Sequence, residues 1–271
     1  MGLRVNTNVF SLNAQRNLSA VTERVGGNFS RLSSGLRIAS ASDDAAGLGI
    51  SERLRSQVRS LGQAGRNAQD GISLTQVAEG ALNEVGTNLN RLRELAVQSA
   101  NGTLGQEDRD IIDVEFQSLV EEIDRISSDT EFNGISLLDG STATSTIQVG
   151  TEAGQTITIA NQDATAATLG IDAADVLSDT NASDALAVID TAIDTLNTAR
   201  GSLGSTSNRL SSAFRSIQST REGLAAAESR IRDVDVAAET ADLTRNSILQ
   251  QAATSVLAQA NTQPQLALSL I

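Results

Sequence analysis

Between Leu186 and Ile231 the apolar residues fall on one unbroken series of three- and four-residue steps: Leu186, Ile189, Ile193, Leu196, Leu203, Leu210, Phe214, Ile217, Leu224 and Ile231. Arg200, Ser207, Arg221 and Glu228 fill the remaining positions of the series. Residues three and four apart stack on one face of an α-helix, so this spacing draws a single apolar stripe. At the α-helical rise the stripe is roughly 70 Å long. A stripe of that length stays wet unless other helices lie along it, which commits the chain to a helical bundle.

The rest of the chain supplies those helices. Leu18, Val21, Val25 and Leu32, with Phe29 beside them, predict an amphipathic helix from about Asn8 to Ser34. Ser40-Ala-Ser42-Asp43-Asp44 offers capping oxygens and negative charge where a second helix starts, so the adjacent carboxylates read as helix-start residues. Leu82, Val85, Leu89, Leu92 and Ala96 continue that helix with heptad spacing to about Asn101. Asn101-Gly102 breaks it, Thr103-Leu-Gly-Gln106 reads as a capping box, and Ile112, Phe116, Leu119, Ile123 and Ile126 mark a third helix. Past Asn133-Gly134 the period falls to two. Thr146–Val149 and Thr156–Ile159, with Gly150 and Gly154 between them, predict a β-hairpin, and the remainder of 140–182 is expected to be an exposed excursion. A last amphipathic stretch carries Leu243, Ile248, Leu249, Ala252, Val256, Leu257 and Ala260 and is expected to stop at Pro264. Leu266, Leu268, Leu270 and Ile271 then form an apolar tail of a kind that suggests burial in a partner. The predicted class is mainly α: an elongated helical bundle or coiled coil with paired amino- and carboxyl-terminal helices and a small β-hairpin region.

Composition removes most chemistry. The 271 residues include no His and no Cys, and all 20 basic residues are Arg. Ligand sets for zinc, haem and iron–sulfur clusters are therefore missing, as are disulfides and Ser–His or Cys–His nucleophiles. Without Lys there is neither a P-loop nor a Schiff base. The chain is read as a non-enzyme with no cofactor and no metal. No apolar run is long enough to span a bilayer, and the amino end lacks the apolar core and cleavage site of a Sec signal, so these signals alone place the protein in the cytoplasm.

Charge is unevenly spread. Residues 1–66 carry nine Arg and four acids, residues 67–199 four Arg and 23 acids, and residues 200–271 seven Arg and six acids. Two near-neutral or basic ends packed together in an assembly, with the acidic middle facing water, account for that split. The terminal segments bury too little to offset a backbone entropy of about 1–2 kcal/mol per residue, so they are expected to fold fully only when subunits meet.

Particular motifs sharpen this reading. Arg31-Leu-Ser-Ser-Gly-Leu-Arg37 followed by Ser42-Asp-Asp-Ala-Ala-Gly47 resembles the amino-terminal signature of bacterial flagellins. Asn67-Ala-Gln-Asp-Gly-Ile-Ser73, Glu79-Gly-Ala-Leu-Asn-Glu84 and Arg93-Glu-Leu-Ala-Val-Gln-Ser-Ala-Asn101 do so too. Ser229-Arg-Ile-Arg-Asp-Val-Asp235, Ile248-Leu-Gln-Gln-Ala252 and Ser255-Val-Leu-Ala-Gln-Ala-Asn261 resemble the carboxyl-terminal signature. The resemblance covers about 1–140 and 183–271. It implies a short flagellin without outer domains: residues 1–42 with 235–271 as an inner coiled-coil domain, and 43–234 as a rod domain with a short variable hairpin and loop region at about 141–182.

The resemblance further implies the structural subunit of a helical flagellar filament used for swimming, with a hook–filament junction protein as the alternative. It overrides the cytoplasmic reading in favour of a secreted, extracellular filament. The implied partners are further copies of the chain, a flagellar export chaperone, the type III export apparatus, and hook-associated and cap proteins; no nucleic acid and no membrane insertion is expected. Leu18, Val21, Val25, Leu32, Ile248, Val256, Leu257, Leu266, Leu268 and Leu270 are the implied self-assembly residues of the terminal helices. Arg91, Leu95 and Glu115 match positions that contact a vertebrate flagellin-sensing Toll-like receptor in flagellins it recognises, and Arg91 and Leu95 are expected to share a helix face.

Overall fold

The computed structural model describes residues 7–268, with side chains described through Thr262. The helices are α1 (Val9–Ser34), α2 (Ala45–Ser99), α3 (Gln106–Asp129), α4 (Ala166–Leu169), α5 (Asp179–Arg232) and α6 (Val236–Leu268). Two antiparallel hairpins pair β1 (Glu131–Phe132) with β2 (Ile135–Ser136) and β3 (Thr144–Gln148) with β4 (Thr156–Ala160). The fold is mainly α with a small β region, as the apolar periods predict. The chain forms two compact units. One joins the chain up to Ser56 to the chain from Gly223 onward, and the other is Gln57–Glu222.

The Gln57–Glu222 unit is built on α2, α3 and α5. Ion pairs Arg93–Asp190 and Arg200–Glu79 step in opposite directions along α2 and α5, so these helices run antiparallel. Leu82, Val85, Leu89, Leu92 and Ala96 are all fully buried, as their heptad spacing predicts. On α5 the phase differs from the expected one. Ile189, Leu196, Leu203, Leu210 and Ile217 are buried, but the alternate positions are Ala182, Ala185, Ala192, Ala199 and Thr206 rather than Leu186, Ile193, Arg200, Ser207 and Phe214. Small side chains occupy the alternate buried positions, and the larger ones flank the seam half-buried.

The 140–182 segment is a second departure. The hairpin forms as expected and buries Ile157 and Ile159, but the remainder, expected as an exposed excursion, places Ala164, Ala166, Leu169, Ile171 and Val176 in the core of this unit. Gly71 makes room for it: a Cβ there would stand 3.1 Å from Ile147 and 3.2 Å from Leu210. Asn133 and Gly134, both at positive φ, make the tight β1–β2 turn. The α2–α3 corner is held by Arg109, which is 7 % exposed and donates to the Ser99 and Asn101 carbonyls at the end of α2. The Ser99 carbonyl belongs to the last turn of α2, at the negative end of the helix dipole, and lacks a helical partner. The start of α3 is capped by the Asp108 carboxylate accepting from the Gly105 N–H, not by the expected box at Thr103.

In the other unit Asn8 caps α1 by accepting from the Ser11 N–H, and Gly35 ends that helix in the left-handed region. Asp44 accepts from the Gly47 N–H at 2.9 Å as α2 begins, the helix-start role expected of the pair, whereas Asp43 accepts from the Ala39 and Ser40 N–H groups and so braces the turn before the helix. Helix α6 continues through Pro264 to Leu268 instead of stopping. Proline has no N–H for the carbonyl four residues back, which is that of Ala260. That carbonyl accepts instead from the Asn8 side-chain amide at 2.7 Å.

Candidate assembly surfaces

Helices α1 and α6 pack against each other over most of their length. The less exposed side chains of α1 are Ser11, Ala14, Leu18, Val21, Val25, Asn28 and Leu32, and those of α6 include Glu239, Leu243, Asn246, Gln250, Ala253, Leu257 and Ala260. Both sets step by three and four, the a/d pattern of a two-helix coiled coil. Hydrogen bonds from Ser11 to Asn261, Gln250 to Thr22 and Asn246 to Asn28 fix the pair as antiparallel.

The seam is narrow and polar at several steps. Asn28, only 2 % exposed, donates to Glu239 and accepts from the Asn246 amide at 2.9 Å. Arg31 Nε donates to the same Glu239 oxygen at 2.8 Å. The Arg31 guanidinium, with help from Asn28, holds the Glu239 carboxyl below its ordinary pKa against the opposing effect of burial. Asn28, Glu239, Asn246 and Gln250 were not singled out in the sequence, although their places on the heptad steps mark them.

Of the residues expected to drive assembly, Leu18, Val21, Val25, Leu32 and Leu257 lie on this seam within one chain. Ile248 and Val256 lie outside it, 61 and 60 % exposed, as do Phe10 and Phe29 at 58 and 59 %. Val9, Leu12, Val236 and Leu249 extend the exposed apolar set on the same two helices. The two phenylalanines of the pair therefore face away from it with several aliphatic groups, while its seam mixes leucines and valines with small and polar residues. The backbone of Leu266 and Leu268 is part of α6, but their side chains, and all of Leu270, lie outside the described residues.

Arg91 and Glu115 are brought together on the surface of the other unit. Arg91 donates to Glu115 at 2.7 Å and to Glu94 at 2.9 Å, and these carboxylates raise its pKa further. Leu95 is not on that surface: it is 1 % exposed and belongs to the core. Four-residue spacing puts Leu95 within reach of Arg91, but the packing of α2 turns it inward. Among the described residues no group of three or more acids could hold a metal ion, and no helix is long and apolar enough to cross a membrane.

Exposed apolar side chains along a pair of helices mark a surface for contact with another macromolecule. Residues 5–143 match the bacterial flagellin N-terminal helical region, and residues 186–271 the C-terminal helical region. A flagellin of Halalkalibacterium halodurans is 46 % identical over 269 residues, covering 98 % of this chain and 99 % of the relative. A flagellin of Bacillus subtilis is 43 % identical, covering 99 % of this chain and all of the relative. The crystal structure of Bacillus cereus flagellin superposes with a TM-score of 0.52 at 34 % identity, over 60 % of this chain and 94 % of that one. These matches favour a filament subunit over a hook–filament junction protein. The chain belongs to the bacterial flagellins, a family of structural filament proteins and not of enzymes.

Proposed function

We propose that this flagellin polymerises into the extracellular flagellar filament through the outer faces of its α1/α6 pair. The observation that carries this is the placement of Phe10, Phe29, Ile248 and Val256 outside the intramolecular seam. Burying a side chain of this size contributes about 1.5–3 kcal/mol, and only a neighbouring subunit can collect it. The seam residues Leu18, Val21, Val25, Leu32 and Leu257 take the complementary part: they pair the two helices and leave the larger aromatic groups on the exterior. Leu266, Leu268 and Leu270 are assigned to the same assembly on their apolar character alone.

Residues 1–42 with 235–271 act as the inner coiled-coil domain and 43–234 as the rod domain, with the variable region at 141–182. The union of both chain ends in one compact unit supports that division. Passage to the cell exterior uses the type III export apparatus and an export chaperone, and the filament contacts hook-associated and cap proteins at its ends. Arg91 and Glu115 form the surface offered to a vertebrate flagellin-sensing Toll-like receptor, with Leu95 supporting it from beneath.

Purified monomer added to short filament seeds, or to a precipitating salt, is expected to elongate into long tubes with a helical lattice seen by electron microscopy. The Ile248→Asp variant is expected to stay monomeric under the same conditions while keeping its helix content. Wild-type monomer that never elongates would overturn the filament reading in favour of a junction protein. Normal elongation by Ile248→Asp would overturn the assignment of this face.

A further inference from the structure

Within the Gln57–Glu222 unit, opposite charges gather in two places that do not pair with each other. On α2, Arg59, Gly62 and Arg66 share one stripe, three and four residues apart. Arg221 of α5 lies over the glycine, its Nη1 3.9 Å from where a Gly62 Cβ would stand. All three arginines are exposed, and among the described residues none has a carboxylate partner. Residues 57–66 and 209–222 together carry five Arg and a single acid, Glu222.

The outer stripe of α3 is the counterpart. Glu107, Ile111, Val114, Ser118 and Glu121 step by four and three along one face. Ile111 and Val114, at 72 and 68 %, are the most exposed large apolar side chains among the described residues. Glu107 and Glu121, which bracket them, make no ion pair. An unpartnered apolar pair framed by free carboxylates is an interaction surface, and its charge is opposite in sign to that of the Arg59–Arg66–Arg221 patch.

We propose that the Arg59–Arg66–Arg221 patch of one copy docks on the α3 outer stripe of a second copy, covering Ile111 and Val114. The proposal rests on the filament-subunit reading and adds to it a second, charge-directed contact outside the terminal helices. Two different surfaces meeting head-to-tail make a heterologous contact, the kind that continues into an open helix instead of closing a dimer. Exposed ion pairs contribute little affinity on their own, so the apolar pair supplies most of the hold. The charges set the register and speed the encounter. Arginine suits this role because its guanidinium can grip a carboxylate with two parallel hydrogen bonds.

The test is a mixing experiment on seeded elongation at low salt. One variant carries Arg59→Glu with Arg66→Glu, the other Glu107→Arg with Glu121→Arg. Each alone is expected to elongate about tenfold or more slowly than wild type, because like charges then face each other. An equimolar mixture is expected to recover, since each reversed surface finds its complement on the other variant. Recovery also shows that both variants are folded. Single variants that elongate at the wild-type rate, or a mixture as slow as its components, would overturn the docking while wild-type elongation leaves the filament reading intact. Wild type that does not elongate at all would overturn both.

Discussion

Several side chains in this protein do two jobs where the backbone alone would be left short. Asn8 caps α1 with its carbonyl oxygen and, with its amide, satisfies the Ala260 carbonyl that Pro264 leaves without a helical donor. One residue thus ties the start of one terminal helix to the late turns of the other. Glu239 is a second case, accepting from both Arg31 and Asn28 across the same seam. Its pKa is depressed in the folded chain, so its contribution is complete above the unfolded value of about 4.3 and is lost as pH falls through the folded one. Acidification below about pH 4.3 is therefore expected to loosen α1 from α6 in the monomer. A fluorescence pair on the exposed Ser19 and Thr254 would follow the separation. The Glu239→Gln variant should lose most of that pH response; an unchanged midpoint would exclude Glu239 as its source.

Helices in this fold earn their places by packing phase, and α5 shows how finely. Leu196 is 3 % exposed on the seam, whereas Leu186 is half-buried beside it. Leu196→Ala is expected to lower unfolding stability by about 2–5 kcal/mol, and Leu186→Ala by a clearly smaller amount, read from denaturant midpoints at unchanged slope. Equal losses would mean that the two share the seam, as the apolar series in the sequence suggests. The phase of α2 was legible because its large residues are themselves the closest ones, from Leu82 to Ala96. The phase of α5 was half legible, because a buried Ala192 or Ala199 is indistinguishable in sequence from an exposed alanine. Leu95 was misplaced for a related reason: spacing says which residues share a face, but only the neighbouring helices decide which face is covered. The polar seam of α1 and α6 was hidden because Asn28 and Glu239 sit where apolar residues are sought, and the buried part of 140–182 because its few Ile and Val are scattered among Ala, Thr and Asp.

At the scale of the whole chain, the two units differ in how much they hold themselves together. The Gln57–Glu222 unit buries Phe116, Leu82, Leu89, Leu92, Leu95, Ile123, Leu137, Leu138, Ile159, Ile171, Ile189 and Leu210 almost completely. The unit made from the two chain ends buries only Ala14, Val21, Ile38 and Ala260 among its described apolar residues. Fixing the backbone costs about 1–2 kcal/mol per residue, and α1 alone orders 26 residues. Four buried side chains, with Leu18, Val25, Leu32, Leu243 and Leu257 only half-buried on a partly polar seam, supply less to set against that than the core of the other unit does. Local opening free energies scale with such burial, so α1 and α6 belong at the low end of the stability range in an isolated chain. In the proposed assembly, burial of Phe10, Phe29, Ile248 and Val256 between copies supplies the missing stability. Amide exchange is therefore expected to be fast along α1 and α6 in the monomer and slow along α2, α3 and α5 between residues 57 and 222. In the polymer the same terminal amides should become protected, coupling the folding of the ends to their assembly. Terminal helices as protected in the monomer as the central core would break that coupling, because the exposed apolar faces would then be decoration on a unit already stable without them.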